Sequence, residues 1–286
     1  MRYSAQRESI QHGTFGFPLG YYPVDRWHPR YHMMLHWHPE LEIIRVRQGT
    51  LRLELDGRAI TVHAGDTVVV DGGVCHTGLP AGEDCQYTCL VFDMSSFLSR
   101  NPIAARTGQP LLRPGCHIHP CMPRELNDLD GLLEGLYRAM DNRAPGYELF
   151  VQGALYQLFA IILRERLYTE EPDAVTRSAG RLVPLKNALE YMEEHYAGAI
   201  SLDDLARAAG MSRKYFCTYF RSMTGKTPVD YLNDYRITLA CELLLTDDRP
   251  VTAVAMDCGF NDVSYFSRRF RRTTGITPLQ YRKQQA

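Results

Sequence analysis

The sequence YFCTYFRSMTGKTPVDY at residues 215–231 recurs as YFSRRFRRTTGITPLQY at residues 265–281, with nine identical residues at an offset of 50. So many identities within 17 positions are not a coincidence, and they indicate one supersecondary unit that has been built twice. Further upstream the offset is 49, since Ala206 matches Ala255 and Gly210 matches Gly259. The second copy therefore holds one extra residue in its turn.

Each copy has the residue pattern of a helix-turn-helix. In the first copy Ser201 can cap a helix, Gly210 can end it, and Ser212 can cap the helix that follows. Gly259 occupies the turn of the second copy. A short helix, a glycine turn and a second helix form the motif that places its second helix in a DNA major groove.

The second helix of each copy carries two phenylalanines four residues apart, so that side is predicted to face the core. The opposite side of both helices is small, polar or basic, and we expect it to contact DNA. The expected DNA-binding residues are Arg213, Lys214, Cys217, Thr218, Arg221, Ser264, Tyr265, Ser267, Arg268, Arg271 and Arg272. A basic helix face is often only solvated, but its occurrence in both copies favours DNA binding.

Residues 184–286 resemble the DNA-binding domain of AraC/XylS-type transcription regulators. The resemblance rests on the repeated unit and on the closing pattern Phe-Arg-Arg-x-x-Gly-x-x-Pro-x-x-Tyr-Arg from Phe270 to Arg282. It implies two recognition helices that enter successive segments of the major groove. By position, the residues facing base edges would be Lys214, Cys217, Thr218, Ser264, Ser267 and Arg268. Arg268 is the candidate for a guanine contact, because a guanidinium pairs with that base bidentately, whereas the other four arginines of the set suit phosphates.

The residues up to about 126 have the pattern of a β-barrel. Short segments rich in β-branched and aromatic residues alternate with turn signals, such as Asp56-Gly57 between residues 51–55 and 58–62. From about Asn127, apolar residues recur at helical spacing in two segments. A polar stretch containing Pro172 and Gly180 then predicts a linker.

Two spaced motifs in this half resemble those of cupins. The first is His36-x-His38-x3-Glu42-x6-Gly49, and the second is Gly65-x5-Asp71-x-Gly73-x2-His76, in which Asp71 replaces the usual Pro. Positions 36 and 38 of a strand share one face, so a barrel interior could bring His36, His38, Glu42 and His76 together. Three imidazoles and one carboxylate are a competent ligand set for a divalent transition metal.

Three interpretations of this set remain open: a bound metal ion, a metal-free pocket that hydrogen-bonds a small effector, or residues that only pack. We favour the effector pocket, because a DNA-binding domain needs an input and the resemblance implies a sensory barrel for small molecules such as sugars. Arg45 and Tyr22 are further candidates for its lining, and the arm at residues 21–27 for its cover. A divalent metal ion in this site is the one cofactor that the residues suggest.

The segment Cys116-His117-x-His119-x-Cys121 also contains metal-binding residue types. Its four candidates are crowded into six residues, which fits neither a zinc finger nor a zinc ribbon. A loop or edge strand with incidental cysteine and histidine is the favoured interpretation.

The composition is that of an ordinary folded protein, but the net charge differs between the two parts of the 286-residue chain. Residues 1–180 carry a net charge of −4 from 17 Arg, no Lys and 21 acidic residues, whereas residues 181–286 carry +3. This asymmetry permits nucleic-acid binding by the C-terminal part. A polar N-terminus, eight cysteines expected to be reduced and no apolar run of about 20 residues predict a cytoplasmic protein with no membrane partner.

The sequence therefore predicts a multidomain α+β protein in four parts. These are a cupin-like effector-binding β-barrel with an N-terminal arm (1–126), two appended helices for dimerisation (127–168), a linker (169–183) and an all-α DNA-binding domain with tandem helix-turn-helix units (184–286). The predicted function is a transcription regulator, not an enzyme: an activator that binds double-stranded promoter DNA as a homodimer, responds to a small-molecule effector and contacts RNA polymerase. The alternatives are a metal-dependent cupin enzyme with an appended helical module, and a regulator whose barrel only dimerises.

Overall fold

The computed structural model describes residues 17–82, 84–113, 115–124, 126–170, 174–246 and 248–283. The chain forms two compact units. Of the described residues, the first unit holds 17–26 and those from His36 to Ala179, and the second holds Trp27–Leu35 and those from Gly180 onward. Residues 1–16 of the expected arm and 171–173 of the expected linker lie outside the described residues.

The first half of the chain is rich in strands, as predicted. The strands are β1 (Leu19–Val24), β2 (Met33–His36), β3 (Leu41–Gln48), β4 (Thr50–Leu55), β5 (Arg58–His63), β6 (Thr67–Val70), β7 (His76–Pro80), β8 (Gln86–Phe92), β9 (Cys116–Ile118) and β10 (Tyr168–Glu170). One antiparallel sheet has the order β1-β8-β3-β6, and another contains β7-β4-β5, with His36 of β2 beside His76 of β7. The short strands β9 and β10 form a separate pair. The two larger sheets form the β-rich domain that the turn signals predicted.

The strand β1 corrects one expectation. Residues 21–24 were expected in an arm over the pocket, but they pair antiparallel with β8, Tyr22 lying opposite Cys89. The partner residues in β8 are 63 or more positions away along the chain, so no local pattern reveals this pairing. Tyr21 and Tyr22 are therefore fixed in the sheet, on its opposite faces.

Two long helices cover one face of the first sheet. The helices of this half are α1 (Met94–Ser99), α2 (Pro102–Thr107), α3 (Asn127–Asn142) and α4 (Tyr147–Arg164). Leu41 and Ile43 of β3 are buried in the same apolar core as Leu136 of α3 and Leu158 of α4. The alternation of a strand therefore turns Glu42, which lies between those two residues, to the opposite face of the sheet.

The second half is helical throughout, as predicted. Its helices are α5 (Ala174–His195), α6 (Leu202–Ala208), α7 (Arg213–Thr224), α8 (Pro228–Thr246), α9 (Val251–Asp257), α10 (Val263–Thr274) and α11 (Pro278–Lys283). Among the described residues, no helix combines the length and the apolar character that spanning a bilayer requires.

The later part of the expected linker at residues 169–183 is helical and not irregular. Helix α5 begins at Ala174 and continues through Pro184. Leu182, Leu185 and Leu189 are all buried, and their spacing of three and four places them on one helix face. Leu182, which lies within the expected linker, therefore belongs to the same buried helix face as Leu185 and Leu189.

Candidate nucleic-acid interface and ligand site

Side-chain capping holds one helix in each repeated unit, α6 in the first copy and α10 in the second. Ser201 accepts a hydrogen bond from the Asp204 backbone at 3.1 Å, while the Asp204 carboxylate accepts one from the Ser201 backbone at 3.1 Å, which forms a capping box at the start of α6. Asp262 caps α10 by accepting from the Tyr265 backbone at 2.9 Å. Ser212 stands at the cap position of α7, but its side chain makes no capping hydrogen bond, contrary to expectation.

The predicted core and outer faces of α7 and α10 are both present. Phe216 and Phe220 of α7, and Phe266 and Phe270 of α10, are fully buried. The expected DNA-binding residues lie on the opposite faces, where nine are exposed and two, Cys217 and Ser267, are half-buried. The exposed ones are Arg213, Lys214, Thr218, Arg221, Ser264, Tyr265, Arg268, Arg271 and Arg272.

Most of the cations on these faces are available to a ligand. Arg213 lies 3.4 Å from Asp203, and both side chains are about 60% exposed, so this pair is weak. Within the ranges that the structure describes, Lys214, Arg221, Arg268, Arg271 and Arg272 form no ion pair within 4.0 Å. Free guanidinium and ammonium groups on an exposed helix face can bind phosphates or base edges.

The connecting helix α8 fixes the second recognition helix. Arg269 donates to the Asp234 carboxylate at 2.7 Å and to Asp230 at 3.0 Å, and its side chain is only 10% exposed. Asn233 donates to the Tyr265 hydroxyl at 3.1 Å. Hydrogen bonds from Thr227 and Arg269 lower the pKa of Asp230, which keeps it charged. Arg269 is thus a structural residue among exposed arginines.

The second helix-turn-helix also packs closely against the end of α5. Arg236 of α8 donates to the backbone oxygen of Tyr196 at 2.8 Å and to that of Gly198 at 2.7 Å. The turn residue Gly259 has φ +81°, and a β-carbon there would collide with the Tyr196 oxygen and the Arg236 side chain. Gly210, in the equivalent turn of the first copy, has φ +63° and open space around it. Because both copies have glycine at this position, nothing in the sequence indicated that the two turns are packed differently.

The same unit holds a segment that the sequence did not assign to it. Arg30 lies 2.9 Å from Glu242 of α8, and the Tyr281 hydroxyl donates to the Trp27 backbone at 3.3 Å. The Tyr231 hydroxyl donates to the backbone oxygen of Leu35. These contacts are between residues about 200 or more positions apart, and no local sequence signal could have revealed them.

The structure brings together the predicted histidines and glutamate in the β-rich unit. Each of His36, His38, Glu42 and His76 offers one ligand atom, and all four atoms lie within 4.8 Å of one another. The Glu42 carboxylate is 2.9 Å from Nε2 of His76 and 3.3 Å from Nε2 of His38. His38, Glu42 and His76 are buried, whereas His36 is half-buried. In the described part of the chain, this is the one group of three or more such residues placed to hold a metal ion.

Burial and hydrogen bonding oppose each other at Glu42. Burial raises the pKa of a carboxyl group, but hydrogen bonds from His38 and His76 hold the pKa of Glu42 well below its ordinary value. The carboxylate is therefore charged at neutral pH. It can bind a cation or accept hydrogen bonds from a neutral ligand.

Tyr22 and Arg45 lie on opposite faces of the first sheet. Tyr22 pairs with Cys89, which in turn pairs with Ile44, so Tyr22 shares the face of Ile44 and Glu42. Arg45 is on the other face, where it donates to Thr67 at 3.1 Å and to Asp130 of α3 at 2.7 Å. The structure thus keeps Tyr22 as a candidate lining residue and does not bring Arg45 to the cluster.

The segment from Cys116 to Cys121 is an edge strand and its flank. Asp71, the residue that replaces a proline in the second motif, accepts a hydrogen bond from the Ile118 backbone at 3.0 Å and lies 3.4 Å from His117. Cys116 is half-buried and Cys121 is exposed. The expected strand is present at Cys116–Ile118, and Asp71 holds its backbone.

Two family descriptions match the chain. The AraC-like ligand binding domain matches residues 19–159, and a helix-turn-helix domain matches residues 205–284. The regulatory protein SoxS of Salmonella typhimurium is 35% identical over 98 residues, which are 34% of this chain and 92% of SoxS. The uncharacterized HTH-type transcriptional regulator YdeC of Bacillus subtilis is 27% identical over 283 residues, which are 97% of this chain and 96% of YdeC.

One solved structure shares the order of domains. It is a crystal structure of an apo variant of ToxT from Vibrio cholerae, with a TM-score of 0.54 and 15% sequence identity. The match covers 94% of this chain and 97% of that one. At this identity the likeness concerns the fold alone: a β-rich domain followed by a helical helix-turn-helix domain.

Proposed function

Because this chain belongs to the AraC family of transcription regulators, we propose that α7 and α10 read neighbouring segments of a promoter while the β-rich domain senses a small molecule. The regulator function, DNA binding and ligand binding follow from the family. Its relatives support a regulator and not the metal-dependent enzyme that the sequence left open. Which residues act, and on which ligand, is our proposal.

One observation carries the DNA assignment. Two copies of the same motif present exposed cations without ion-pair partners among the described residues, on the helix face opposite a buried phenylalanine pair. Arg268 would pair with guanine, while Arg221, Arg271 and Arg272 would bind phosphates. Lys214, Cys217 and Thr218 would face bases from the first copy. Because Thr218 and Cys217 are short, we propose that α7 reads fewer bases than α10.

The ligand assignment is carried by the buried cluster. His38, Glu42 and His76 place charged and polar atoms inside an apolar domain, where a ligand with complementary groups would gain strong interactions. Tyr22 on the same sheet face adds a hydroxyl and an aromatic surface. We propose a small polar effector, with sugars as the first class to examine. An effector changes DNA occupancy only if it binds the DNA-competent state more tightly than the other state.

We further propose a homodimer that acts as an activator through RNA polymerase, in the cytoplasm where the promoter is. Leu149 and Phe150 at the start of α4 support the dimer, since these apolar side chains are 75% and 54% exposed. Contiguous apolar exposure of this kind is typical of a protein interface.

The decisive experiment measures binding of the full chain to duplexes from the genomic neighbourhood of its gene. Fluorescence anisotropy at several salt concentrations should show sequence-selective binding whose affinity falls as salt rises. A thermal-shift screen with sugars and aromatic acids would find the effector. His38→Ala and His76→Ala should then abolish the effector response and leave basal DNA binding intact. Salt-insensitive or sequence-independent retention of every duplex would contradict the regulator assignment.

A further inference from the structure

One carboxylate of the connecting helix α8 joins the two copies of the helix-turn-helix. Nζ of Lys226 donates to one oxygen of Asp234 at 2.8 Å, and the Arg269 guanidinium donates to the other oxygen at 2.7 Å. Lys226 lies two residues after the end of α7, and Arg269 lies in the middle of α10. Asp234 therefore links the turn that follows the first proposed recognition helix to the second one.

A second carboxylate, one turn earlier in α8, forms a similar bridge. Asp230 accepts a hydrogen bond from the Thr227 hydroxyl at 2.7 Å and another from Arg269 at 3.0 Å. Residues four apart share one face of a helix. Both carboxylates therefore lie on the side of α8 where the turn after α7 and the helix α10 meet.

The cations of this bridge are not part of the repeated unit. The second copy has Ile276 at the position equivalent to Lys226, and the first copy has Tyr219 at the position equivalent to Arg269. Neither residue carries a positive charge. The bridge thus belongs to the junction of the two copies, where it bears on their relative placement more than on the fold of each copy.

The two halves of the bridge differ in their exposure to solvent. The side chains of Arg269 and Asp234 are 10% and 15% exposed, whereas that of Lys226 is 47% exposed. Charges shielded from water attract each other strongly, and removal of one partner leaves the other unpaired at a high cost. Removal of Lys226, in contrast, leaves Asp234 paired with Arg269.

We propose that Asp234 is a positioning residue that fixes the distance and the angle between α7 and α10, and thereby selects DNA by the spacing of its two recognised segments. This inference rests on the function proposed above, in which both helices read DNA. Major-groove segments on one face of a duplex are one helical turn, about 10–10.5 base pairs, apart. One inserted base pair turns the second segment by about 34–36° and moves it by about 3.4 Å. A fixed pair of helices cannot follow this change, whereas a loosened pair can.

The test begins with the full chain and a library of randomised duplexes, from which the bound molecules are sequenced. The unaltered chain should enrich two segments at one spacing. In anisotropy titrations, one base pair inserted between the segments of the best selected duplex should weaken binding by about 10-fold or more. In Asp234→Asn and Lys226→Met, the ratio of the affinities for the original and the lengthened duplex should fall by about threefold or more. Their selected duplexes should also contain more than one spacing.

Asp257→Asn is the matched control, because Asp257 pairs with Arg249 at 2.5 Å within the second copy and not between the copies. This variant should keep the affinity ratio of the unaltered chain. A residue that only stabilised the fold would weaken binding to both duplexes equally, so the ratio separates positioning from stability. Circular dichroism verifies that each variant is folded. Lys226→Met keeps the shielded ion pair and should fold even if Asp234→Asn does not.

The results distinguish this inference from the proposed function. An unchanged affinity ratio in the folded variants, together with a single selected spacing, overturns the role of Asp234 and leaves the proposed function intact. If the unaltered chain enriches one segment or none, the reading of DNA by two helices fails, and this inference fails with it. A ratio that falls in Asp234→Asn and Lys226→Met but not in Asp257→Asn supports the inference.

Discussion

Arg269 of the second recognition helix lies 2.7 Å from the carboxylate of Asp234 in the connecting helix α8. It also lies 3.0 Å from the carboxylate of Asp230, one turn earlier in α8. The neighbouring Arg268, Arg271 and Arg272 are exposed. A run of arginines that looks uniform in sequence thus separates into one residue that positions α10 and three that can meet DNA.

Arg268→Ala should weaken specific DNA binding by about 1–3 kcal/mol and relax selectivity at one base position, because a bidentate guanine contact is lost. Anisotropy titrations against operator variants measure this. Arg58→Ala removes an exposed arginine from β5 and serves as the control. If Arg268→Ala retained full affinity and selectivity, the assignment of α10 as the more selective helix would be wrong.

Arg269→Ala should lower the free energy of unfolding by about 2 kcal/mol, since two carboxylates lose a charged hydrogen-bond partner. Arg271→Ala, two residues away, should leave unfolding unchanged and reduce the salt dependence of DNA binding by about one phosphate contact. The pKa of Asp230 is lowered, so its share of the stability is present at neutral pH and lost as pH falls below the ordinary value of 3.8. The difference in the free energy of unfolding between Arg269→Ala and the unaltered chain should therefore be smaller at acidic pH. Denaturant unfolding at pH 7 and pH 3 measures both effects, and a pH-independent difference would contradict the ion pair.

Gly259→Ala and Gly210→Ala should differ although the residues are equivalent in the repeat. Each requires positive φ, which costs a residue with a β-carbon about 1–2 kcal/mol. Only at Gly259 does the new carbon also meet the Tyr196 backbone and Arg236. We expect Gly259→Ala to lower the free energy of unfolding by about 2 kcal/mol more than Gly210→Ala does, as thermal or chemical unfolding would measure. Equal losses would show that the turn at Gly259 is not closely packed.

Cys217 should be protected from alkylation by operator DNA, because it lies on the outer face of α7. Burial raises the pKa of Cys241 and Cys258 to about 12, so these thiols should stay unreactive at neutral pH. Exposed Cys121 in the β-rich unit is the internal control, and its labelling should not change with DNA. Mass spectrometry of the alkylated peptides gives the rates. Equal labelling of Cys217 with and without DNA would remove it from the interface.

Leu149→Asp should weaken the free energy of dimerisation by at least about 1 kcal/mol, since it places a charge in an apolar contact. Leu149 is 75% exposed in one chain, so the monomer should remain folded. Ile103→Asp changes a side chain that is 68% exposed in α2 and is the matched control. Sedimentation velocity measures the state of association. A monomeric unaltered chain would contradict the dimer outright.

The repeated unit was predictable because it is local: nine identities, caps and turn glycines all lie within short windows. The histidine cluster was predictable from two spaced motifs. Arg45 was misplaced although a signal existed, since residues 42 and 45 are an odd number apart and must face opposite sides of a strand. The pairing of β1 with β8 and the packing of Gly259 depend on distant residues, and no sequence window contains both partners.

Strand β3 has a consequence for how this protein can vary. Glu42 faces the buried histidines, while Arg45 reaches Asp130 of α3 on the other side. Inserting or deleting one residue between Leu41 and Glu42 would exchange these two sides, placing the carboxylate against the helices and an apolar residue among the imidazoles. Homologues of this protein should therefore tolerate substitutions at the ends of the strand. They should not tolerate an insertion or deletion between Leu41 and Glu42.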